Sequence, residues 1–566
     1  MNQKTVLLTL LCAVLLGLSL SASTRPSKES QDRPNLIFFA FDDLRPQIAA
    51  YGELEAITPN LDALAAEGVR FNRNYVAYPL CNPSRATMLT GIRFDNRPVT
   101  GWKPMSHTDM INTQMTWPRV LREAGYWTAA RGKVYHSGVP NADKSAWDVA
   151  GSKGGANEKK MASSVVESEG RKEHVEQYLK TGKGPAALAY FVLDGPDDLL
   201  NDGQTCDDVI SYIKEQRDPK KPFAIACGFL RPHMPWAAPK KYFDMYSEDA
   251  GELAYRPRDA KKKVDLEEVT KKNKNDVWNE GVDDELARKL IRGYMASTSY
   301  ADAQMGKVIE ALKVEGIYEN TIIVAWGDHG YHLTDHGLWR KNTAYHVSMR
   351  SPLIVKAPGV AGGQVVDAVV GNVDLYPTLL ELTGVRKPEG VHLHGKSLVP
   401  LLYDSEADWN NLTYTCAKQR YGLVTDRYRF TISENKVSLY DLENDPHEWN
   451  NLGSHPEYAG LVKEFTAKVD GVVWNLPKNH SGTDEATQFS EAKSNKKSES
   501  EWDWFSALDA NKNGSVSMTE WLKRSQAKAK KKGDAYNEAK QKRVFAGFDR
   551  DGDGLISRKE LERRNG

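Results

Sequence analysis

The segment Asn35-Leu-Ile-Phe-Phe-Ala-Phe41 is continuously apolar and stops at two acidic residues, Asp42 and Asp43. A strand with one wet face alternates polar and apolar side chains, so a strand without that alternation must be covered on both faces. Such a strand belongs inside a sheet packed between helices, which excludes a helical bundle or a sheet with one open face. Phe223 to Phe229 and Thr321-Ile-Ile-Val-Ala-Trp326 read the same way. Tyr126 to Ala130 and Pro352-Leu-Ile-Val355 read as further strands. Between them run helical patterns: one begins near Asn60 with Leu61, Leu64 and Ala65, and others cover Arg119 to Ala124, Glu285 to about Leu312, and Leu375 to Leu382. The alternation predicts an α/β fold with a large, mostly parallel or mixed central sheet flanked by helices. A length of 566 residues suits two to four domains. Lys+Arg and Asp+Glu both total 76, which excludes a generally basic, nucleic-acid-coating chain.

Lys4, the apolar run Val6 to Leu20 and the small residues Ser21-Ala-Ser23 predict a secretory signal over 1–23, followed by a polar leader over 24–32. The run is short for a membrane span and no later segment is long enough, so no stable membrane span is expected. The expected location is secreted, periplasmic or extracellular, in a bacterium. Beyond the signal, Cys81, Cys206, Cys227 and Cys416 are too few for a disulfide scaffold, and Cys227 reads as a buried thiol. Residues 33–409 form the expected main domain. Residues 410–477, with Tyr421-Gly-Leu-Val424 and Tyr428 to Ile432, read as a small C-terminal α+β subdomain. A polar linker is expected over 478–498, and Lys261 to Lys274 reads as a solvated insertion.

In an open α/β sheet, ligands gather beyond the carboxyl ends of the strands. Asp42 and Asp43 follow the first strand, and Asp328 and His329 follow another within Gly327-Asp-His-Gly330. A shared sheet would bring both pairs to one rim, where three carboxylates and an imidazole could enclose a cation. Mostly oxygen ligation favours Ca²⁺ or Mg²⁺. The stretch Cys81-Asn-Pro-Ser-Arg85-Ala-Thr-Met-Leu-Thr-Gly91 has a proline suited to starting a helix. Cys81 would then stand at a helix N-terminus, where backbone N–H groups favour an anion. Three readings compete: a thiolate nucleophile, a buried structural cysteine, or a cysteine modified after synthesis. A Cys-His hydrolase needs a neutral base beside the thiol, whereas the surrounding carboxylates point to a metal.

Here the sequence resembles the type I, formylglycine-dependent sulfatase family, most of all its iduronate-2-sulfatase branch. The resemblance rests on Cys81-Asn-Pro-Ser-Arg85 with Leu89-Thr-Gly91, Phe41-Asp-Asp-Leu-Arg-Pro46, Gly132-Lys-Val-Tyr-His136 and Arg231-Pro-His-Met-Pro235. Gly327 to Leu333, Asp335-His-Gly-Leu-Trp339, Leu439 to Glu443 and Asp445-Pro446 extend it over roughly residues 33 to 476. It implies an alkaline-phosphatase-like fold and a sulfuric ester hydrolase acting on a sulfated sugar or polysaccharide fragment, iduronate 2-sulfate being one candidate. It implies that a formylglycine-generating enzyme converts Cys81 to formylglycine (3-oxoalanine), whose hydrate is the nucleophile. By the same resemblance Ca²⁺, ahead of Mg²⁺, is held by Asp42, Asp43, Asp328 and His329, with modified residue 81 facing the ion. Arg85, Lys133 and Lys341 would neutralise the sulfate, and His233 would protonate the leaving alcohol or hydrogen-bond to the sulfate. His136 would accept a proton from residue 81.

Two departures qualify the resemblance. Thr334-Asp335 stands where the family commonly has Gly-Glu, which predicts a local packing change with the chemistry kept. Cys206 and Cys416 show no clear pair resembling the disulfides of an animal lysosomal relative, so that relative's substrate preference does not transfer. Trp236, Lys240, Lys241 and Trp339-Arg340 would either meet a sugar acid or form ordinary loop surface. Two rival functions stay open: a phosphomonoester or phosphodiester hydrolase of the same fold, and a calcium-dependent surface or glycan-binding protein with residue 81 inactive.

The tail, 499–566, carries a separate signal. Asp509, Asn511, Asn513, Ser515 and Glu520 fall at positions one, three, five, seven and twelve of an EF-hand loop, with Gly514 at the sharp turn. Asp549, Asp551, Asp553, Leu555 and Glu560 repeat the pattern 40 residues later. Each loop is expected to bind Ca²⁺, the first more weakly because it has fewer carboxylates. An appended all-α EF-hand pair is the expected fold.

Overall fold

The computed structural model describes residues 33–472 apart from 53–55, 94–110, 112–113, 137–138, 140, 152–157, 182–187, 261–278, 418–419 and 434–435; beyond them it describes 515–523, 526, 542 and 555–557. The expected signal, leader, linker and Lys261–Lys274 insertion lie outside the described residues.

Among the described residues the main sheet has eight strands: β1 (Asn35–Asp42), β2 (Val69–Tyr75), β3 (Trp127–Gly132), β4 (Val149–Ala150), β5 (Phe223–Pro232), β6 (Thr321–Gly327), β7 (Leu353–Lys356) and β8 (Gln364–Gly371). Their order is β8-β2-β7-β6-β1-β5-β3-β4. Only β7 runs against its neighbours, so the sheet is mixed. β1 lies between β5 and β6, parallel to both.

This central position explains the apolar run. Ile37, Phe39 and Phe41 enter one core, together with Phe223, Ile225, Cys227, Phe229, Ile323 and Ala325. Leu36, Phe38 and Ala40 enter the other, with Ala224, Ala226, Ile322, Val324 and Trp326. Period-two geometry sends alternate side chains to opposite faces, and both faces are dry here. Burying each large side chain contributes roughly 1.5–3 kcal/mol. Helix α1 (Cys81–Thr90) places Met88 and Leu89 in the second core, while the long helix α2 (Asp284–Val314) lines the first with Leu290, Tyr294 and Met305. Asp283 caps α2, accepting from the Leu286 N–H at 2.8 Å.

A second sheet, β9 (Leu412–Ala417), β10 (Arg420–Thr425), β11 (Tyr428–Ser433) and β12 (Lys436–Asp441), is an antiparallel meander. Helix α3 (Ala459–Asp470) covers it through Phe465 and Val469. Tyr78 packs into the same cluster, and the Cys416 N–H donates to the Ala77 carbonyl at 2.8 Å. The meander thus buttresses the segment leading into α1. It is also tied down by Glu448, which accepts from Arg429 Nε and, at 2.7 Å, from the His346 N–H. Arg429 and Glu448 are both buried, so removing the carboxylate strips a buried guanidinium of its counter-charge. We expect Glu448→Ala to destabilise the protein by about 3–5 kcal/mol, measured by urea unfolding.

All four described cysteines are free and buried, Cys227 among them. Among the described residues no helix is long and apolar enough to cross a membrane. The tail corrects the all-α expectation in one respect. Ser515–Ser517 and Leu555–Ser557 are short antiparallel strands, with Val516 opposite Ile556. Both segments are positions seven to nine of their loops, and lying side by side lets each satisfy the other's backbone groups. Residues 504–508 and 544–548, which precede the two loops, lie outside the described residues.

Candidate active site

The site assembles where β1, β3, β5 and β6 end. Phe41 is level with Gly327 across β1 and β6, and the Asp328 N–H donates to the Phe41 carbonyl at 3.0 Å. Asp42 and Asp328 therefore emerge on one rim, as a shared sheet requires. The chain turns at Asp43, which holds a left-handed φ of 67°, a conformation Asp tolerates better than most residues. Its N–H donates to Asp328 Oδ1 at 3.0 Å. On the other side, Gly132 is level with Gly228, and the Lys133 N–H donates to the Gly228 carbonyl at 2.7 Å. A Cβ on Gly228 would stand 2.1 Å from the Lys133 carbonyl carbon, so only glycine lets the two chains cross this closely.

Cys81 is the first residue of α1, one turn from Arg85, and is buried. Ligand atoms of Asp42, Asp43, Cys81 and His329 all lie within 4.8 Å of one another. His329 Nε2 is 3.4 Å from Cys81 Sγ, 3.4 Å from Asp43 Oδ1 and 3.5 Å from Asp328 Oδ1. Its Nδ1–H donates to the Gly330 carbonyl at 2.9 Å, which turns Nε2 into the cluster, where burial opposes the charge but Asp328 and Cys81 outweigh it and raise the imidazole pKa to about 9 without an ion. Asp42 Oδ1 and Asp43 Oδ2 are buried and have no hydrogen-bond partner among the described residues. Such an arrangement is costly unless a cation completes it. Carboxylate oxygens with one imidazole fit a hard divalent ion.

Asp328 stands beside this group. Its Oδ2 receives Arg85 Nε at 2.9 Å, and its Oδ1 receives the Asp43 N–H. Arg85 also donates to the Lys133 and Val134 carbonyls, locking its plane. Lys133 Nζ is bound to Asp42 Oδ2 and Lys341 Nζ to Asp43 Oδ1. Burial opposes the charge on both lysines, but Asp42 and Asp43 outweigh it and raise both ammonium groups above their usual range. Burial also raises the Cys81 thiol, yet Lys341, Lys133 and His329 hold it well below its ordinary value. Three cations thus balance three carboxylates, and a bound divalent ion would leave the centre positive, as an anionic ester needs.

His136 hydrogen-bonds Cys81 from an exposed position. His233 Nε2 is 3.9 Å from Asp43 Oδ2, while its Nδ1–H donates to the Met234 carbonyl at 2.7 Å. All six expected catalytic residues therefore meet at one centre with Asp42, Asp43, Asp328 and His329. Asp335 pairs with Arg45 at 2.8 Å and accepts from the Leu333 N–H at 2.8 Å. Of the expected rim, Trp236 and Trp339 are buried against each other, 6.0 Å apart, whereas Lys240 and Lys241 are exposed and pair with Asp244 and Asp197. Arg340 pairs with Glu280.

Several supporting residues carried no sequence signal. Asn372 receives the Ala77 N–H and donates to the Ser84 carbonyl and hydroxyl; Ser84 in turn donates to the Asp328 carbonyl. This chain fixes the first turn of α1 against Asp328. Asp202 accepts from the Leu230 and Arg231 N–H groups at 2.7 and 2.8 Å, shaping the approach to His233. Asn372 and Asp202, unlike Ser84, lie outside every motif and far away in sequence from what they hold.

Fold and site together define a hydrolase built on an alkaline-phosphatase-like fold, with a mixed sheet between helices and a buried cluster that could hold a metal ion. The chain belongs to the sulfatase family, whose model matches residues 34–385. The C-terminal model of N-sulphoglucosamine sulphohydrolase matches 334–473, and the EF-hand model matches 503–523 and 541–563. A sulfatase of Formosa agariphila is 30% identical over 491 residues, covering 82% of this chain and 93% of the relative. N-acetylglucosamine-6-O-sulfatase of Bacteroides thetaiotaomicron is 28% identical, covering 82% and 89%. Iduronate 2-sulfatase of Homo sapiens is 27% identical, covering 66% and 74%. No branch of the family stands out among these relatives. Among solved structures, a phosphonate monoester hydrolase of Agrobacterium radiobacter superposes with a TM-score of 0.59 at 21% identity, covering 77% of this chain and 94% of that one. A protein in complex with D-glucosamine-2-N,6-O-disulfate gives 0.55 at 23%, covering 77% and 97%. Both likenesses concern the fold.

Proposed function

We propose that this protein removes sulfate from a sulfated saccharide, using residue 81 as formylglycine and a calcium ion held by Asp42, Asp43, Asp328 and His329. The observation that carries the reading is the convergence of Cys81, at a helix N-terminus, with Arg85, two lysines and the acidic cluster. When present, the ion and the hydrated aldehyde supply charge neutralisation and an oxygen nucleophile for attack on sulfur. Arg85, Lys133 and Lys341 orient the ester and neutralise its oxygens from fixed positions, which favours the more highly charged transition state. His233 Nε2 gives a proton to the departing alcohol oxygen, and His136 takes one from residue 81.

Relatives named for N-acetylglucosamine 6-sulfate, iduronate 2-sulfate and ulvan support a sugar substrate, an iduronate 2-sulfate-like group being one form of it. Maturation by a formylglycine-generating enzyme and secretion from a bacterial cell complete the reading; most of the curated relatives named are bacterial. In the tail we propose calcium in both loops, through Asp509, Asn511, Asn513, Ser515 and Glu520, and through Asp549, Asp551, Asp553, Leu555 and Glu560. The family match and the paired strands support this. The likeness to phosphonate monoester hydrolases makes phosphorus esters the second reading. Sulfate, phosphate and phosphonate esters of one alcohol, assayed in parallel on matured protein, separate the two. We expect the sulfate ester to give the highest kcat/KM; a higher value for a phosphorus ester would overturn the proposal.

A further inference from the structure

Asp43 contributes to the metal cluster from a backbone conformation that needs support, and the support comes from the middle of α2. The Tyr294 hydroxyl donates to the Asp43 carbonyl at 3.0 Å and accepts from the Arg45 N–H at 2.9 Å. With the Asp43 N–H held by Asp328 Oδ1, both backbone polar groups of Asp43 are engaged, and the turn is closed on either side of the carboxylate. Tyr294 is fully buried and part of a long rigid helix. Its ring stacks on Tyr331, with centroids 5.9 Å apart, and Lys341 Nζ stands 5.7 Å from the centroid of that Tyr331 ring. One side chain therefore stands behind both the Asp43 turn and the aromatic seat of Lys341.

We infer that Tyr294 is a positioning residue for the metal centre, its hydroxyl holding the Asp43 turn in the ligating conformation. The inference rests on the proposed metal role of Asp43. Losing a hydrogen bond that orients a ligand typically lowers metal affinity about 10–100-fold. Tyr294→Phe keeps the ring packing and removes only the hydroxyl. Tyr246→Phe is the matched comparison: its buried hydroxyl contacts the Ser299 hydroxyl of the same helix at 2.6 Å and receives the Ile57 N–H at 2.7 Å, and it takes no part in the metal cluster.

Calcium titration calorimetry would be run on full-length, chelator-treated protein carrying Glu520→Gln and Glu560→Gln, so that heat from the tail loops is suppressed. Unfolding would be followed on the same samples without calcium. The expected result is at least a 10-fold rise in calcium Kd for Tyr294→Phe and none for Tyr246→Phe, with similar losses of stability in both. On matured enzyme, Tyr294→Phe should also raise the calcium concentration for half-maximal activity by the same factor. An unchanged Kd in Tyr294→Phe, with calcium still bound by the parent, overturns the positioning role alone. A parent that takes up no calcium overturns the metal reading and the positioning role together.

Discussion

Cys81→Ala should lower kcat/KM toward sulfate esters by at least about 10⁴-fold while the protein stays folded. The thiol is the small side chain at the meeting point of His329 Nε2, the lysines and His136, so replacing it removes the reacting group and little else. Alanine suits the first turn of α1, and the bonds that fix this turn come from Ser84 and Asn372, which the substitution leaves in place. Stability should therefore change by about 1 kcal/mol or less, measured by urea unfolding beside steady-state kinetics. A folded Cys81→Ala enzyme with more than a tenth of the parental activity would put the nucleophile elsewhere.

Removing the divalent ion should have the next largest effect, a loss of about 10³-fold in kcat. Asp42 Oδ1, Asp43 Oδ2 and His329 Nε2 converge in a buried space where the local cations only balance the local carboxylates. An anionic ester entering such a centre needs additional positive charge, which the ion supplies. Chelation followed by gel filtration should give inactive protein that regains activity with added calcium. Its melting temperature should fall as well, since an ion at 100 times its Kd stabilises the folded state by about 2.7 kcal/mol. Undiminished turnover in excess chelator would contradict the metal role.

The legible parts of this fold were those where one physical demand acts on consecutive residues. β1, β5 and β6 are dry on both faces, so their sequences carry no polar interruptions and identify themselves as central strands. The acidic residues that end β1 and follow β6 could then be assigned to one rim from topology alone. β2 and β8 were missed for the opposite reason. Val69-Arg-Phe-Asn-Arg-Asn-Tyr75 mixes polar and apolar positions because several of its side chains are only half-buried, and Gln364–Gly371 lies at the sheet edge. The motifs that meet at the site were readable because each is a short local string. Tyr294, Asn372 and Asp202 were not, since each acts through hydrogen bonds to residues tens to hundreds of positions away, and no local pattern encodes such a pairing.

The central claim is that residue 81 is the nucleophile precursor, and the mass of the peptide that contains it tests this most directly. In protein from a host able to carry out the modification, that peptide should be about 18 Da lighter than the cysteine form, having lost sulfur and two hydrogens and gained one oxygen. Fully active protein whose residue 81 is unmodified cysteine throughout would contradict the account.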